Sequence, residues 1–307
     1  MTKQSNLGGT FTLHNASMTL NRMGYGTMQL AGRDGDKIVW GPPRDVASAI
    51  AVLREVVAAG VNHIDTADFY GPHVTNQIIK QALYPYPEEL VIVTKVGARR
   101  GSDGSWPPAR SRQEIIDDVH DNLRNLGLDT LDVVNLRLGD FVAPKNEPLE
   151  EPLTALAELK QKGLIRHIGL STVSPQQLAE AQAITEIVCI QNFYNMAQRT
   201  DDGFIDVLAA QSIAYVPYFP LGGFSPLQSS RIDEVAASLE ATLMQVALAW
   251  LLRRSPNVLL IPGTSSVQHL RENLKAATLE LPDEVLAVLD SVEEIAKRRS
   301  PPRQSPS

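Results

Sequence analysis

The sequence predicts an α/β fold: a closed (β/α)8 TIM barrel, preceded by a β-hairpin and followed by one extra helix. Three observations lead there. Eight short apolar runs recur along the 307 residues, most of them continuous and rich in β-branched side chains, as in strands buried on both faces. Stretches of helical period lie between them, and strand–helix alternation argues a parallel sheet. The number of strands and the chain length match a closed barrel. A doubly wound open sheet is the alternative on pattern alone, and it needs a Gly-x-Gly-x-x-Gly turn that opens a helix. Gly24-Tyr-Gly26 lacks the third glycine, and no helix follows it.

The elements follow in order. Phe11-Thr-Leu13 and Met18-Thr-Leu20 read as the two arms of the hairpin, joined across His14-Asn-Ala-Ser17. The barrel strands are read over residues 24–29, 63–66, 91–95, 132–136, 167–171, 187–191, 214–218 and 258–262. Residues 45–59 keep Ile50, Val52, Leu53 and Val56 on one helical stripe, and 114–126 keep Ile115, Ile116, Val119 and Leu123. Residues 149–162 repeat Leu153, Leu156 and Leu159, then stop at Gly163, a good helix terminator. Ser174-Pro175 opens a further helix with a cap residue and a first-turn proline. Residues 245–252 are apolar enough for a buried helix, and 282–298 read as the extra C-terminal one. The tail 300–307 has the composition of a disordered segment. Neither a repeat nor a linker divides the chain, so 1–307 reads as one domain.

Composition excludes several functions. A net charge of −7 argues against nucleic acid and against an anionic membrane surface. The single cysteine, Cys189, sits in an apolar run, which rules out a disulfide framework and reads as a buried, inert thiol. The first residues lack an apolar signal region, and no run approaches the roughly 18 apolar residues of a membrane span. The expected location is the cytoplasm.

In such a barrel the carboxyl ends of the strands carry the strand–helix loops and line the active site. Asp65, Lys95, Arg137, Ser171, Gln191, Tyr218 and Gly263 all fall at strand ends. Taken singly, an aspartate there caps a helix and a tyrosine packs. Seven at equivalent positions point to one site. Asp65 and Tyr70 leave one strand, and Lys95 ends the next. A tyrosine, a lysine and an aspartate brought together can make a phenol acidic enough to protonate a carbonyl oxygen. That is half of a carbonyl reduction. The hydride has to come from a bound cofactor.

The same residues carry a family resemblance. His63-Ile-Asp-Thr-Ala-Asp-Phe-Tyr-Gly71, Ile92-Val-Thr-Lys95, Ile168-Gly-Leu-Ser171 and Ile261-Pro-Gly-Thr264 with Arg271-Glu-Asn273 resemble the aldo-keto reductase superfamily, in order and over nearly the whole chain. The resemblance implies a (β/α)8 barrel that binds NADPH (as NADP+ after turnover) without a Rossmann domain and reduces aldehydes and ketones. It implies Tyr70 as proton donor, Lys95 as the cation that lowers its pKa, and Asp65 as the partner of Lys95. It places Ser171 and Gln191 on the nicotinamide carboxamide, Tyr218 under its ring, and Phe219, Pro220, Leu221 and Gly222, with Gly223, over the pyrophosphate. Gly26, Thr27, Met28, Asp65 and Thr172 join the cofactor set, as do Gly263, Thr264, Ser265, Ser266, His269, Glu272 and Asn273 around a helix start, a natural phosphate site. Thr264 to Ser266 also read as a purely structural cap.

Three departures matter. Thr172 stands where asparagine is usual, with Asn192 as a further candidate. Arg137 occupies the slot of the family's histidine, either as a structural arginine bound to Asp140 or a carbonyl, or as a permanent cation in the pocket. The lysine–arginine pair that many relatives use for the 2′-phosphate is missing. Tyr70-Gly-Pro-His-Val-Thr-Asn-Gln77, Asn122-Leu-Arg-Asn-Leu-Gly-Leu128 and Asn135-Leu-Arg137 look like the pyridoxal reductase branch. A general aldehyde or ketone reductase is the alternative. So is an NADPH-sensing regulatory subunit like the potassium-channel β-subunits, although no long N-terminal extension is present.

Overall fold

A computed structural model describes residues 7–13, 18–140, 143–222 and 230–292. The hairpin turn at 14–17, Gly223 of the covering loop, the last helix beyond 292 and the tail lie outside the described residues. β1 (Thr10–Thr12) and β2 (Thr19–Asn21) pair antiparallel, as the sequence predicts. The barrel strands are β3 (Tyr25–Gly26), then β6 (His63–Asp65), β7 (Val91–Val96), β8 (Leu131–Arg137), β9 (Ile165–Ser171), β10 (Cys189–Gln191) and β11 (Ala214–Tyr215). They form a parallel sheet in the order β11-β10-β9-β8-β7-β6-β3.

The eighth predicted strand, 258–262, is not a regular ladder. It closes the sheet through isolated pairings instead. Leu259 N–H donates to Tyr215 O at 2.9 Å on one side, and Leu260 N–H donates to Arg22 O at 2.8 Å on the other. Gly24 N–H donates to Leu260 O at 2.7 Å, and Gly26 bridges Gly263. Pro262 offers no N–H, which keeps this stave short.

An unforeseen second hairpin, β4 (Arg33–Asp34) and β5 (Lys37–Ile38), follows β3. The helices are α1 (Val46–Ala58), α2 (Val74–Leu83), α3 (Arg112–Leu126), α4 (Glu150–Gln161), α5 (Pro175–Gln182), α6 (Asp202–Ala210), α7 (Ser230–Ser238), α8 (Leu243–Arg254), α9 (Val267–Lys275) and α10 (Asp283–Asp290). Asp45 caps α1, and Ser174 caps α5 with a reciprocal bond from Gln177. The sequence reading names no helix at α2, and the reason is local. α2 starts at His73, in the left-handed region at φ 66°, without a side-chain cap. It buries Ile78, Ile79 and Leu83 all the same. Among the described residues no single helix is long and apolar enough to cross a membrane.

Register assembles the site. Arg137 pairs with Ser171, and Ser171 with Gln191, so three strand ends lie side by side. Gly26 pairs with Asp65 at the other edge, and Lys95 pairs with Asn135 between them. Alternation along β6 turns His63 and Asp65 to the same barrel interior.

Candidate active site

Asp65 and Lys95 form a buried ion pair, each 3% exposed, with Lys95 Nζ 2.5 Å from Asp65 Oδ1. Lys95 Nζ also donates to Thr66 O at 3.0 Å, and Gln191 Nε2 donates to Asp65 Oδ2 at 2.8 Å. Breaking such a pair leaves a lone buried charge. Burial alone disfavours the Lys95 ammonium, but the Asp65 carboxylate and Tyr70 outweigh it, and the pKa is raised. Lys95 therefore stays charged.

Tyr70 sits on the turn between β6 and α2, 8% exposed, with Lys95 Nζ 5.3 Å from its ring centroid. Burial pushes the phenol above its ordinary value, against the opposing pull of the Lys95 and Arg137 cations. The sequence reading expects a lowered phenol pKa. Lys95 acts in that direction, but desolvation of a nearly enclosed ring is the larger effect. At neutral pH Tyr70 thus keeps its proton.

Arg137 is placed where both readings left open by the sequence can apply. Its Nη2 donates to Asp140 O at 3.0 Å, and its Nη1 makes long contacts of 3.4 Å with Ser171 Oγ and Thr172 Oγ1. The same side chain lines the main cavity. Thr172 adopts φ 60° and Phe219 φ 58°. The left-handed region tolerates asparagine far better than a β-branched residue, so threonine is strained at this position. The Thr172 hydroxyl lies 3.2 Å from Tyr218 Oη, and Tyr218 stacks on Phe193 at 6.0 Å between centroids.

These residues surround a cavity of about 350 Å³, in the range of small-molecule sites. Gly26, Met28, Asp65, Tyr70, Lys95, Arg137, Gln191, Tyr218, Phe219, Pro220, Leu221 and Gly263 line it, all anticipated from sequence. Gln29, Phe69, Trp106, Met244, Ile261 and Pro262 line it too and were missed. Phe69 lies inside the quoted motif and Ile261-Pro262 inside the predicted last strand. Trp106 sits in a loop without periodicity, where no sequence signal marks it.

Other candidates fall outside the cavity wall. Ser171 is fully buried beneath Arg137, and Thr27 is buried too. Asn192 spends its amide on the Val173 backbone and Asp201, so it positions the loop after β9. Beyond Gly263, Ser266 caps α9 by accepting from His269 N–H at 3.4 Å, and Thr264 Oγ1 accepts from Ser266 N–H at 3.1 Å. The Glu272 carboxylate accepts from Gln268, Asn273 is 6% exposed, and Ser265 and His269 face outward. Cys189 is buried against Asn135, and burial pushes its thiol up to about 12, as expected of an inert cysteine.

Residues 22–294 match the family model described as the aldo/keto reductase family. The chain belongs to that family. A pyridoxine 4-dehydrogenase of Escherichia coli is 65% identical over 285 residues, covering 92% of this chain and 98% of that protein. An oxidoreductase of Schizosaccharomyces pombe is 36% identical over 299 residues, 96% of this chain and 95% of that one. Among solved structures, the thermostable aldo-keto reductase Tm1743, bound to the inhibitor epalrestat, superposes with a TM-score of 0.76 at 30% identity. It covers 92% of this chain and 99% of its own. This aldo/keto reductase is accordingly an oxidoreductase, and its barrel is the family's.

The site fits a nicotinamide dinucleotide. Gly26 and Gly263 are paired neighbours on adjacent staves of the rim, where a Cβ on either would come within 2.5 or 2.6 Å of a carbonyl oxygen of the other stave. Bare backbone thus forms one side of the cleft. Tyr218 supplies an aromatic wall, Gln191 an amide, and α9 a helix start beyond Gly263.

Proposed function

We propose that this aldo/keto reductase reduces an aromatic aldehyde with NADPH, and that the aldehyde is pyridoxal, which becomes pyridoxine. The observation that carries the reading is a protonated phenol, Tyr70, facing the same cavity as two fixed cations, Lys95 and Arg137. The name of the Escherichia coli relative describes the same conversion in reverse.

The family uses NADPH, and the bound cofactor supplies the hydride for the carbonyl carbon. Tyr70 gives its phenolic proton to the carbonyl oxygen. Lys95, locked by Asp65 and Thr66 O, holds positive charge beside the phenolate left behind. Phe69 packs edge-on against Tyr70 at 5.4 Å and helps keep water out. Pyridoxal carries a phenol beside its aldehyde, largely ionised at neutral pH, and Arg137 suits that phenolate. The test is a turnover assay with NADPH, comparing pyridoxal with unrelated aldehydes. Tight NADPH binding without turnover on any of them would favour a cofactor-sensing role instead.

Two expectations arise here. The first concerns pH. The raised Tyr70 pKa keeps the acid form to higher pH, so kcat/KM for reduction should stay flat from about pH 6 to 9. It should fall only above the ordinary phenol value of about 10. A pH profile that drops near neutrality through Tyr70 contradicts the assignment. The second concerns cofactor choice. NADPH should bind more tightly than NADH through Ser265, Ser266, His269 and Asn273. The margin should be modest, because bonds from fixed cations to phosphate are the stronger kind. Fluorescence titration with both cofactors decides, and equal affinities remove these four residues from 2′-phosphate recognition.

A further inference from the structure

One wall of the cavity comes from neither the proton donor nor the cofactor residues. Trp106 forms it, from the loop between β7 and α3. It packs edge-on against Phe69 and Tyr70, with centroids 5.7 and 6.4 Å apart. The backbone of this loop folds back on itself, with Arg99 N–H donating to Pro107 O and Gly101 N–H to Ser105 O, both at 3.0 Å, and side-chain contacts set the orientation of the indole.

A close contact of this kind comes from Arg100. Its guanidinium carbon lies 3.7 Å from the Trp106 centroid and 5.3 Å from the Trp40 centroid. Nη2 donates to Ile38 O at 2.9 Å. Nε and Nη1 are buried without a hydrogen-bond partner among the described residues. Donors left in that state cost free energy. Contact of the cation with two π faces offsets the cost. Trp40 is itself tied to the turn that bears Tyr70. It bridges Gly71, Gly71 N–H donates to Val39 O at 3.3 Å, and Gly41 N–H donates to Gly71 O at 3.2 Å. Arg100 belongs to the Trp106 loop itself, so its guanidinium joins that loop to Ile38 and Trp40, and through Trp40's bridge partner Gly71 to the Tyr70 turn.

We propose that Arg100 is a positioning residue that sets the cavity's preference for aromatic aldehydes, by clamping the Trp106 wall to the Tyr70 turn. A flat substrate gains from a flat, immobile wall, because the cost of ordering that wall on binding is already met. A short aliphatic aldehyde does not reach the wall and gains nothing from it. The guanidinium also places positive charge next to a ring that lines the cavity, which favours an electron-rich or anionic aromatic substrate. This inference rests on the aromatic-aldehyde reading above.

The test uses the full chain with Arg100→Met, which keeps length and removes the planar cation, and Arg100→Lys, which keeps only the charge. Arg100→Met should raise KM for pyridoxal about tenfold, with kcat within about twofold, the scale of one lost cation–π contact. Its kcat/KM for propanal should stay within about twofold of wild type. Tryptophan emission from the free variant should be quenched more readily by acrylamide, since the clamp no longer holds the indoles. Arg100→Lys should fall between the two. Equal losses on pyridoxal and propanal, or unchanged quenching, would overturn the proposal. If the wild type reduces propanal but no aromatic aldehyde, the substrate reading fails and takes this inference with it. If the wild type reduces pyridoxal and Arg100→Met keeps its KM, the inference alone fails.

Discussion

Tyr70→Phe should lose aldehyde reduction by about 10² to 10⁴ in kcat/KM, the usual contribution of a positioned general acid. The substitution removes one hydroxyl and leaves the ring. The edge-on contacts of that ring with Phe69 and Trp106, at 5.4 and 6.4 Å, survive, so the cavity keeps its walls. The Asp65–Lys95 pair survives as well, because Lys95 Nζ is also held by Thr66 O. NADPH affinity should therefore stay near wild type while the chemical step collapses. Single-turnover kinetics with preloaded NADPH and a fluorescence titration of the cofactor separate these quantities. Near-normal turnover would remove Tyr70 from the mechanism, because Tyr70 is the phenol that Lys95 faces.

The second large effect belongs to Arg137. If its guanidinium holds the ionised phenol of pyridoxal, Arg137→Met should cost pyridoxal far more than a neutral aldehyde such as nitrobenzaldehyde. A charge-assisted hydrogen bond contributes about 1.5 to 3 kcal/mol. At about 1.4 kcal/mol per decade, that is roughly a tenfold to hundredfold loss in kcat/KM. The geometry permits other outcomes, and each has its own signature. Arg137 also contacts Ser171 Oγ, Thr172 Oγ1 and Asp140 O. If anchoring these groups were its main role, the variant would lose thermal stability and cofactor affinity together. If it only polarised the carbonyl, both aldehydes would suffer alike. Kinetics on both substrates, a melting curve and a cofactor titration distinguish the three, and equal losses on both aldehydes sink phenolate recognition.

Much of this protein is written in short-range pattern. The apolar runs at 63–66, 91–95, 132–136 and 167–171 became β6, β7, β8 and β9, because a strand buried on both faces must be apolar along its length. Once the strands are parallel neighbours, their polar last residues meet at one end of the barrel. Asp65, Lys95, Arg137, Ser171 and Gln191 were therefore legible as one group before any contact was known. Helices with cap residues were equally plain at Asp45 and Ser174, whereas α2 was not, since His73 opens it without a cap.

What only the tertiary structure decided depends on distant parts of the chain and on burial. Gln191 binds Asp65 across 126 residues, and Arg100 meets Trp40 and Trp106 through loops that carry no period. The sign of the Tyr70 shift followed from how deeply the ring is enclosed, which outweighs a cation that the sequence could already name. The strained turn at Thr172 and the irregular last stave at 258–262 likewise appeared only once the barrel had closed. Periodicity records which side of an element is buried, so the sequence alone determined the barrel and the ring of polar strand ends. Desolvation and side-chain contact between loops are properties of the assembled volume, and they decided the direction of the Tyr70 shift and the shape of the cavity.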